Sequence, residues 1–176
     1  MTFQRDPRIE VLAAETLLDG RIFDIVEETI RLPSGLEQKL QMVDHHGAAA
    51  IAALNDNGEL LLVRQYRHAC GAWMLEVPAG RLEPGEDPLT AARRELEEET
   101  GYRAASWEVL STFYPAPGFC SEFMTLFLAR DLELVADRRP HDDDEELEVV
   151  TRRPEELLGG DVQDAKTLIA ATLLRT

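Results

Sequence analysis

Gly80-Arg-Leu-Glu-Pro-Gly-Glu86 and, after seven intervening residues, Arg94-Glu-Leu-Glu-Glu-Glu-Thr-Gly101-Tyr102 form the stretch around which this sequence is organised. Asp87 has the side chain of a helix N-cap, and Pro88 suits the first helical position, where no N–H partner is needed. Gly101 can adopt the left-handed conformation that ends many helices. We therefore predict a helix over residues 88–100, with a narrow apolar stripe made of Leu89, Ala92 and Leu96.

Three glutamates of this predicted helix lie on a face next to the apolar stripe. Glu95, Glu98 and Glu99 are one, three or four residues apart, which brings their side chains together on a helix. Like charges at these spacings repel, so the helix gains nothing from gathering them without a cation. Hard divalent ions such as Mg²⁺ bind oxygen ligands of this kind, usually beside substrate phosphates. The ordinary alternative is a solvated acidic face.

The spacing of the whole stretch resembles the Nudix box. The matching positions are Gly80, Glu86, the pair Arg94-Glu95, the pair Glu98-Glu99 and Gly101 followed by an apolar residue. The resemblance implies an α+β protein with the Nudix fold: an α/β/α sandwich with a mixed central sheet, and the box as a loop-helix-loop. It also implies an enzyme that hydrolyses a nucleoside diphosphate linked to another group, assisted by a divalent metal.

Composition limits the other possibilities. The chain has 176 residues, of which 44% are hydrophobic and 30% charged, so it can bury one substantial core. Its formal net charge of −16 argues against non-specific binding to nucleic acid. Cys70 and Cys120 have neither metal-ligand spacing nor the pattern of a disulfide framework. Without a signal-like N-terminus or a long apolar run, we expect a cytoplasmic protein that does not enter the membrane.

The N-terminal part is predicted to be a β-hairpin arm. Residues 21–32 have strand periodicity, residues 33–35 form a turn, and residues 38–43 form the returning strand. We expect residues 1–44 to form this arm and residues 45–176 the hydrolase domain. The arm resembles that of the ADP-ribose pyrophosphatase branch of the Nudix family, which implies a homodimer, and Phe23 is a candidate for stacking on the base.

The strand before the box carries two arginines. Residues 60–63 are apolar on both faces, which predicts a central strand, and residues 55–58 should form a hairpin turn ahead of it. Arg64 and Arg67 are three residues apart, so they should face opposite sides of the strand. The resemblance favours Arg67 as the substrate contact, and it places the carbonyl group of Ala79 in the metal site.

Two residues after the helix point to the same branch. Pro117 lies sixteen residues beyond Gly101, a separation similar to that of the proline that marks the ADP-ribose pyrophosphatases. Glu122 is similar to an acidic residue of that branch that contacts substrate hydroxyl groups. On local grounds both residues could equally belong to an ordinary surface loop.

An acidic loop over residues 141–146 contains five carboxylates and would ordinarily be solvated. The resemblance assigns a catalytic glutamate to this loop, just before the strand predicted at residues 147–150. This register places Glu145 in the role of general base that deprotonates the attacking water, and a shift by one residue would select Glu146.

The resemblance then assigns the remaining roles. Glu95 and Glu99, with the Ala79 carbonyl, would hold Mg²⁺, or Mn²⁺ as a substitute, with Glu98 completing the cluster and taking part in catalysis. Arg94 would orient these carboxylates. ADP-ribose would give AMP and ribose 5-phosphate. Two alternatives stay open: a Nudix hydrolase for another nucleotide sugar such as GDP-mannose, and a non-catalytic sensor that binds ADP-ribose or metal.

Overall fold

The computed structural model describes residues 5–135, 147–160 and 162–175. These residues belong to two compact units. Of the described residues, the first unit comprises 5–46 and 116–122, and the second comprises 47–115, 123–135, 147–160 and 162–175. No helix in the described residues is long and apolar enough to cross a membrane.

The first unit contains an antiparallel sheet with the order β1-β2-β3, which we call the arm sheet. Its strands are β1 Glu10–Leu18, β2 Asp24–Arg31 and β3 Glu37–Asp44. The predicted hairpin is present as β2 and β3. The sequence at residues 9–12 predicts only a short strand, whereas β1 has nine residues and pairs with β2 as a third strand. Among the described residues 5–46, only Glu28 is buried, and its carboxylate accepts a hydrogen bond from Arg5. The arm sheet therefore lacks a hydrophobic core of its own.

The second unit contains two sheets and two helices. A mixed sheet has the order β7-β4-β9-β8, with β4 and β9 parallel, and an antiparallel sheet has the order β10-β5-β6. The elements are β4 Ala48–Ala53, β5 Leu60–Arg67, β6 Ala72–Glu76, β7 Ala79–Arg81, α1 Pro88–Thr100, β8 Tyr102–Phe113, β9 Met124–Leu134, β10 Glu148–Arg152 and α2 Ala165–Leu174. Strand β5 is central in its sheet, as predicted.

Strand β4 divides the core into two layers. Its residues alternate between a cluster that includes Ala170 and Ala171 of α2 and a cluster that includes Ala92 and Leu96 of α1. All six residues of β4 are buried, and five of them are alanine, so both helices can approach the strand closely. This arrangement is the predicted sandwich, and it fixes the height of α1 above β4 and β7.

The turn at residues 55–58 forms, but it is not the turn of a regular hairpin. The amide of Gly58 donates to the carbonyl of Asn55 at 3.0 Å, and Gly58 has the left-handed φ of 76° that the turn requires. However, the strands on either side belong to different sheets and share a single bridge between Leu54 and Leu60. Strand β4 continues in the mixed sheet between β7 and β9, and β5 continues in the antiparallel sheet between β10 and β6.

Candidate active site

Helix α1 has the predicted boundaries. The Asp87 carboxylate accepts hydrogen bonds from the amides of Leu89 and Thr90 at 3.0 and 3.2 Å. At the other end, Gly101 has a φ of 76°, and its amide donates to the Glu97 carbonyl. The N-cap alone is worth about 1 kcal/mol. Both ends of the glutamate-bearing segment are therefore fixed by local chemistry as well as by packing on the core.

Gly80 is in close contact with the carboxylate of Glu95. A Cβ atom on residue 80 would overlap the carboxylate carbon and both of its oxygens. The backbone of Gly80 does not need a left-handed conformation, so the requirement for glycine is steric. Strand β7 pairs with β4, with Gly80 opposite Ala49. The short strand thus carries its glycine to the face of α1 where Glu95 lies.

Arg94 connects the acidic side chains of this stretch. Its guanidinium donates to Glu95 at 2.6 Å, to Glu98 at 3.1 Å, to Glu86 at 3.2 and 3.3 Å and to the Arg81 carbonyl at 3.2 Å. Partial burial opposes the charged form of Arg94, but the hydrogen bonds and charges of these carboxylates outweigh it and raise its pKa. In turn, the hydrogen bonds from Arg94 lower the pKa of Glu86. One cation therefore gathers three carboxylates from the loop and the helix.

Glu99 connects α1 to β7. It is 5% exposed, and one of its carboxylate oxygens accepts a hydrogen bond from the amide of Ala79 at 3.0 Å. The bond joins the residue before Gly80 to the helix face that carries Glu95. Glu95 and Glu99, two of the three candidate metal ligands on α1, thus contact adjacent residues of β7.

The donor set fits a hard divalent cation. Glu95, Glu98 and Glu99 offer carboxylate oxygens on one helix face, which is the ligand chemistry that Mg²⁺ prefers. Among the residues that the structure describes, no three His, Cys, Asp or Glu side chains form a ready-made metal cage. Such a cage is not required, because Mg²⁺ is usually held by one or two carboxylates, substrate phosphates and water. Arg94 donates to the carboxylates of Glu95 and Glu98, and the Ala79 amide donates to that of Glu99.

The two arginines of β5 have different partners. Arg67 donates two hydrogen bonds to the two oxygens of Glu76, at 2.8 and 2.9 Å. Arg64 is instead exposed, with its guanidinium 5.5 Å from the ring centre of Trp73 and 3.4 Å from Glu148. These different partners agree with the prediction that Arg64 and Arg67 face opposite sides of the strand. Hydrogen bonding from Glu76 raises the pKa of Arg67, although burial opposes it, and the charge of Glu99 adds to the effect.

The NUDIX domain family model matches residues 44–172 of this chain. The chain belongs to the Nudix family. The match includes every element from β4 to most of α2, and it contains the Gly80–Tyr102 stretch whose geometry is given above. The chain is accordingly a Nudix hydrolase, and enzymes of this family generally need a divalent metal.

Two relatives and one solved structure are similar to this chain over nearly its full length. An ADP-ribose pyrophosphatase of Bacillus subtilis is 38% identical over 170 residues, which is 94% of this chain and 92% of the relative. A methanol dehydrogenase activator of Bacillus methanolicus is 34% identical, with the same coverage of both chains. A solved structure described as an ADP compounds hydrolase superposes with a TM-score of 0.81 at 25% identity, covering 98% of this chain and 95% of that one.

Phe23, Pro117 and Glu122 all belong to the first compact unit. Within that unit the segment that contains Pro117 and Glu122 pairs with β3. The Val43 amide donates to the Phe119 carbonyl at 2.8 Å, and the Val43 carbonyl accepts from the Ser121 amide at 2.9 Å. Phe23 is 40% exposed, next to β2. Glu145 and its alternative Glu146 lie outside the described residues.

Sequence reasoning missed Glu76 and its second partner, Lys166. Glu76 is 2% exposed, and the ammonium of Lys166, on α2, contacts the same carboxylate that Arg67 binds. The signal was present in the sequence, because Glu76 interrupts the apolar run from Met74 to Val77. A charge inside a buried strand requires a partner, and the helical pattern near the C-terminal end could not identify which one.

Proposed function

We propose that this Nudix hydrolase cleaves the pyrophosphate bond of ADP-ribose, giving AMP and ribose 5-phosphate, with Mg²⁺ as its metal. The observation that carries the proposal is the arrangement around Arg94, which brings Glu86, Glu95 and Glu98 together beside Gly80. The name of the Bacillus subtilis relative supports ADP-ribose in particular. A Nudix hydrolase of another nucleotide sugar, such as GDP-mannose, is the nearest alternative.

Glu95, Glu99 and the Ala79 carbonyl would hold Mg²⁺, with Glu98 beside them, and Mn²⁺ could replace it. Once bound, the ion would neutralise phosphate oxygens and make water a better nucleophile. Arg94 orients the carboxylates of Glu95 and Glu98 through hydrogen bonds of 2.6 and 3.1 Å. Because like charges on one helix face repel, the positive charge of Arg94 lowers the free-energy cost of placing these carboxylates side by side.

Arg67 would bind the diphosphate, since a guanidinium offers several donors to phosphate oxygens. Glu145 would act as general base toward the attacking water, with Glu146 as the alternative by one register step. Pro117, Glu122 and Phe23 remain predicted contacts with the rest of the substrate. These roles come from the family resemblance of the residues and await substitution.

The arm at residues 1–44 would pair with a second copy of the chain. Eight of the nine residues of β1 are exposed, among them Val11, Leu17 and Leu18. A sheet without its own core needs a further packing surface to be stable. A homodimer built with this arm would supply one, leaving residues 45–176 as the hydrolase domain. We expect the enzyme in the cytoplasm, where its two free cysteines, Cys70 and Cys120, stay reduced.

A substrate panel tests the proposal. With Mg²⁺ present, we expect kcat/KM to be highest for ADP-ribose, and EDTA to abolish the reaction. A clearly higher kcat/KM for GDP-mannose would transfer the assignment to that substrate. The absence of any turnover in a broad panel would favour the sensor hypothesis. The Bacillus methanolicus relative motivates one added arm, in which the chain is mixed with a methanol dehydrogenase and the rate of alcohol oxidation is followed.

A further inference from the structure

Glu76 is a buried carboxylate with two cationic partners. Arg67 binds both of its oxygens, at 2.8 and 2.9 Å, and the ammonium of Lys166 contacts one of them. Glu76 is 2% exposed and Lys166 8% exposed, so both charges have left water. Arg67 differs, because 42% of its side chain is exposed. The network therefore runs from the interior to a guanidinium that solvent, or a ligand, can reach.

The first turn of α2 fixes the inner end of this network. The Asp164 carboxylate accepts from Lys166 at 2.9 Å, and also from the amide and the hydroxyl of Thr167 at 2.9 and 2.6 Å. The Thr167 hydroxyl oxygen in turn accepts from the amide of Val77 at 2.7 Å. One helical turn thus holds the side chain of Glu76 and the backbone of the next residue. The chain then continues through Pro78 into Ala79.

Within residues 5–135, 147–160 and 162–175, the hydrogen bonds of the Arg67 side chain go to Glu76. A guanidinium has five N–H groups, and Arg67 gives two of them, one from Nε and one from Nη2, to Glu76. The other three lie on the edges of the planar group that Glu76 does not occupy. The negative charge of Glu99 contributes to the raised pKa of Arg67. The guanidinium therefore interacts electrostatically with the same carboxylate that accepts a hydrogen bond from the Ala79 amide.

Stability is a weak reason for such a network. Desolvation of buried ions offsets most of their attraction, and well-packed apolar residues of the same volume often do as well or better. A network of two cations and two carboxylates that ends in a half-exposed arginine fits a positioning role more closely. Because its buried partners restrict the arginine side chain, that side chain loses less conformational entropy when a ligand binds.

We propose that Lys166 and Glu76 are positioning residues that orient Arg67 toward the diphosphate of the substrate. We call these three residues, Lys166, Glu76 and Arg67, the relay. The proposal rests on the proposed function for its substrate, but the ligand chemistry it needs is only a diphosphate. Lys166 holds Glu76 in place, Glu76 aligns the guanidinium, and Arg67 makes the contact.

A double-mutant cycle on binding tests the relay. The probe is α,β-methylene-ADP, whose P–C–P bridge resists hydrolysis, in the presence of Mg²⁺. Calorimetry measures its Kd. We expect Arg67→Gln and Glu76→Gln each to raise Kd by about 10-fold, and the double variant to be no weaker than Arg67→Gln alone, because coupled residues act as a unit. Arg103→Gln is the matched control. It breaks another two-bond ion pair to a buried carboxylate, Glu97, at 2.7 and 2.8 Å, and should leave Kd unchanged.

Each outcome decides a separate question. Equal Kd for wild type and Glu76→Gln, or effects that multiply in the double variant, would overturn the relay even if ADP-ribose is hydrolysed. Coupled effects in a protein that does not hydrolyse ADP-ribose would support the relay and reject the proposed function. Failure of wild type to bind the probe would overturn the relay. If Glu76→Gln does not fold, Lys166→Gln takes its place in the cycle, with the same expected coupling to Arg67→Gln.

Discussion

The Glu95 carboxylate fills the space that a side chain on Gly80 would need. Gly80→Ala should therefore displace Glu95 from its position beside β7 without straining the backbone. We expect kcat/KM to fall about 100-fold, since small misplacements of catalytic groups cost this much. Gly159→Ala is the control, because its new methyl group would meet only an ordinary contact with the Glu156 carbonyl, at 3.5 Å. Activity of Gly80→Ala within a few-fold of wild type would show that the position of Glu95 does not matter.

Glu99→Gln should abolish most activity and spare the fold. An amide oxygen can still accept the hydrogen bond from Ala79 at 3.0 Å, but a neutral ligand binds a hard cation poorly. We expect a loss of several orders of magnitude at ordinary Mg²⁺ concentrations, with Tm unchanged or slightly raised because repulsion with Glu95 is relieved. A Mg²⁺ titration of the rate, with Glu108→Gln on the surface as control, provides the measurement. Normal activity would remove Glu99 from the metal site.

Glu76 should contribute to stability in a pH-dependent way. Burial raises the pKa of its carboxyl group, but the hydrogen bonds from Arg67 and the charge of Lys166 outweigh burial and hold it below the ordinary value. A carboxyl group with a lowered folded pKa stabilises the protein above the unfolded pKa, and this contribution disappears as the pH falls through the folded pKa.

We therefore expect the free energy of unfolding of the wild type to decrease more steeply than that of Glu76→Gln between about pH 5 and pH 2. Urea unfolding at a series of pH values measures the difference. Parallel curves for the two proteins would mean that Glu76 has the same pKa in the folded and unfolded states.

The acidic loop should contain one catalyst. Loss of a general base costs about 10²- to 10⁴-fold in rate, whereas neutralising a solvated carboxylate changes little. We expect Glu145→Gln to lower kcat steeply with a modest change in KM, and Asp142→Asn to remain within a few-fold of wild type. Glu146→Gln tests the register, and a steep loss there alone would shift the assignment by one residue. If neither glutamate matters, Glu98 becomes the candidate base.

The arm sheet should make the protein a dimer. Leu17 and Leu18 are 46% and 55% exposed on β1, and their burial against a second copy would offset the cost of association. We expect light scattering at micromolar concentration to give twice the chain mass, and Leu17→Glu/Leu18→Glu to give the chain mass. A monomeric wild type with full activity would remove the dimer from the mechanism.

Local chemistry explains why the box was predictable from the sequence. Asp87 and Gly101 fix the ends of α1 through hydrogen bonds to residues within four positions, so the pattern contains its own boundaries. The third arm strand was harder, because most residues of β1 are exposed and the strand lacks a periodic apolar face. Glu76 and Lys166 are 90 residues apart, and nothing local pairs them. Contacts of this kind depend on how α2 packs on the core, which residue periodicity does not specify.

The contacts of α2 with Glu76, at the end of β6, and with Val77 after it also have a consequence for the order of folding. Both the Val77–Thr167 hydrogen bond and the Glu76–Lys166 ion pair close a loop of 90 residues, whereas the bonds that form α1 and the β2–β3 hairpin are local. Long loops cost more entropy to close, so local elements form first and distant ones later. In refolding experiments we expect helical signal to return before ligand affinity. The enzyme would pass through a state that already has its box helix but whose Arg67 still has no fixed direction.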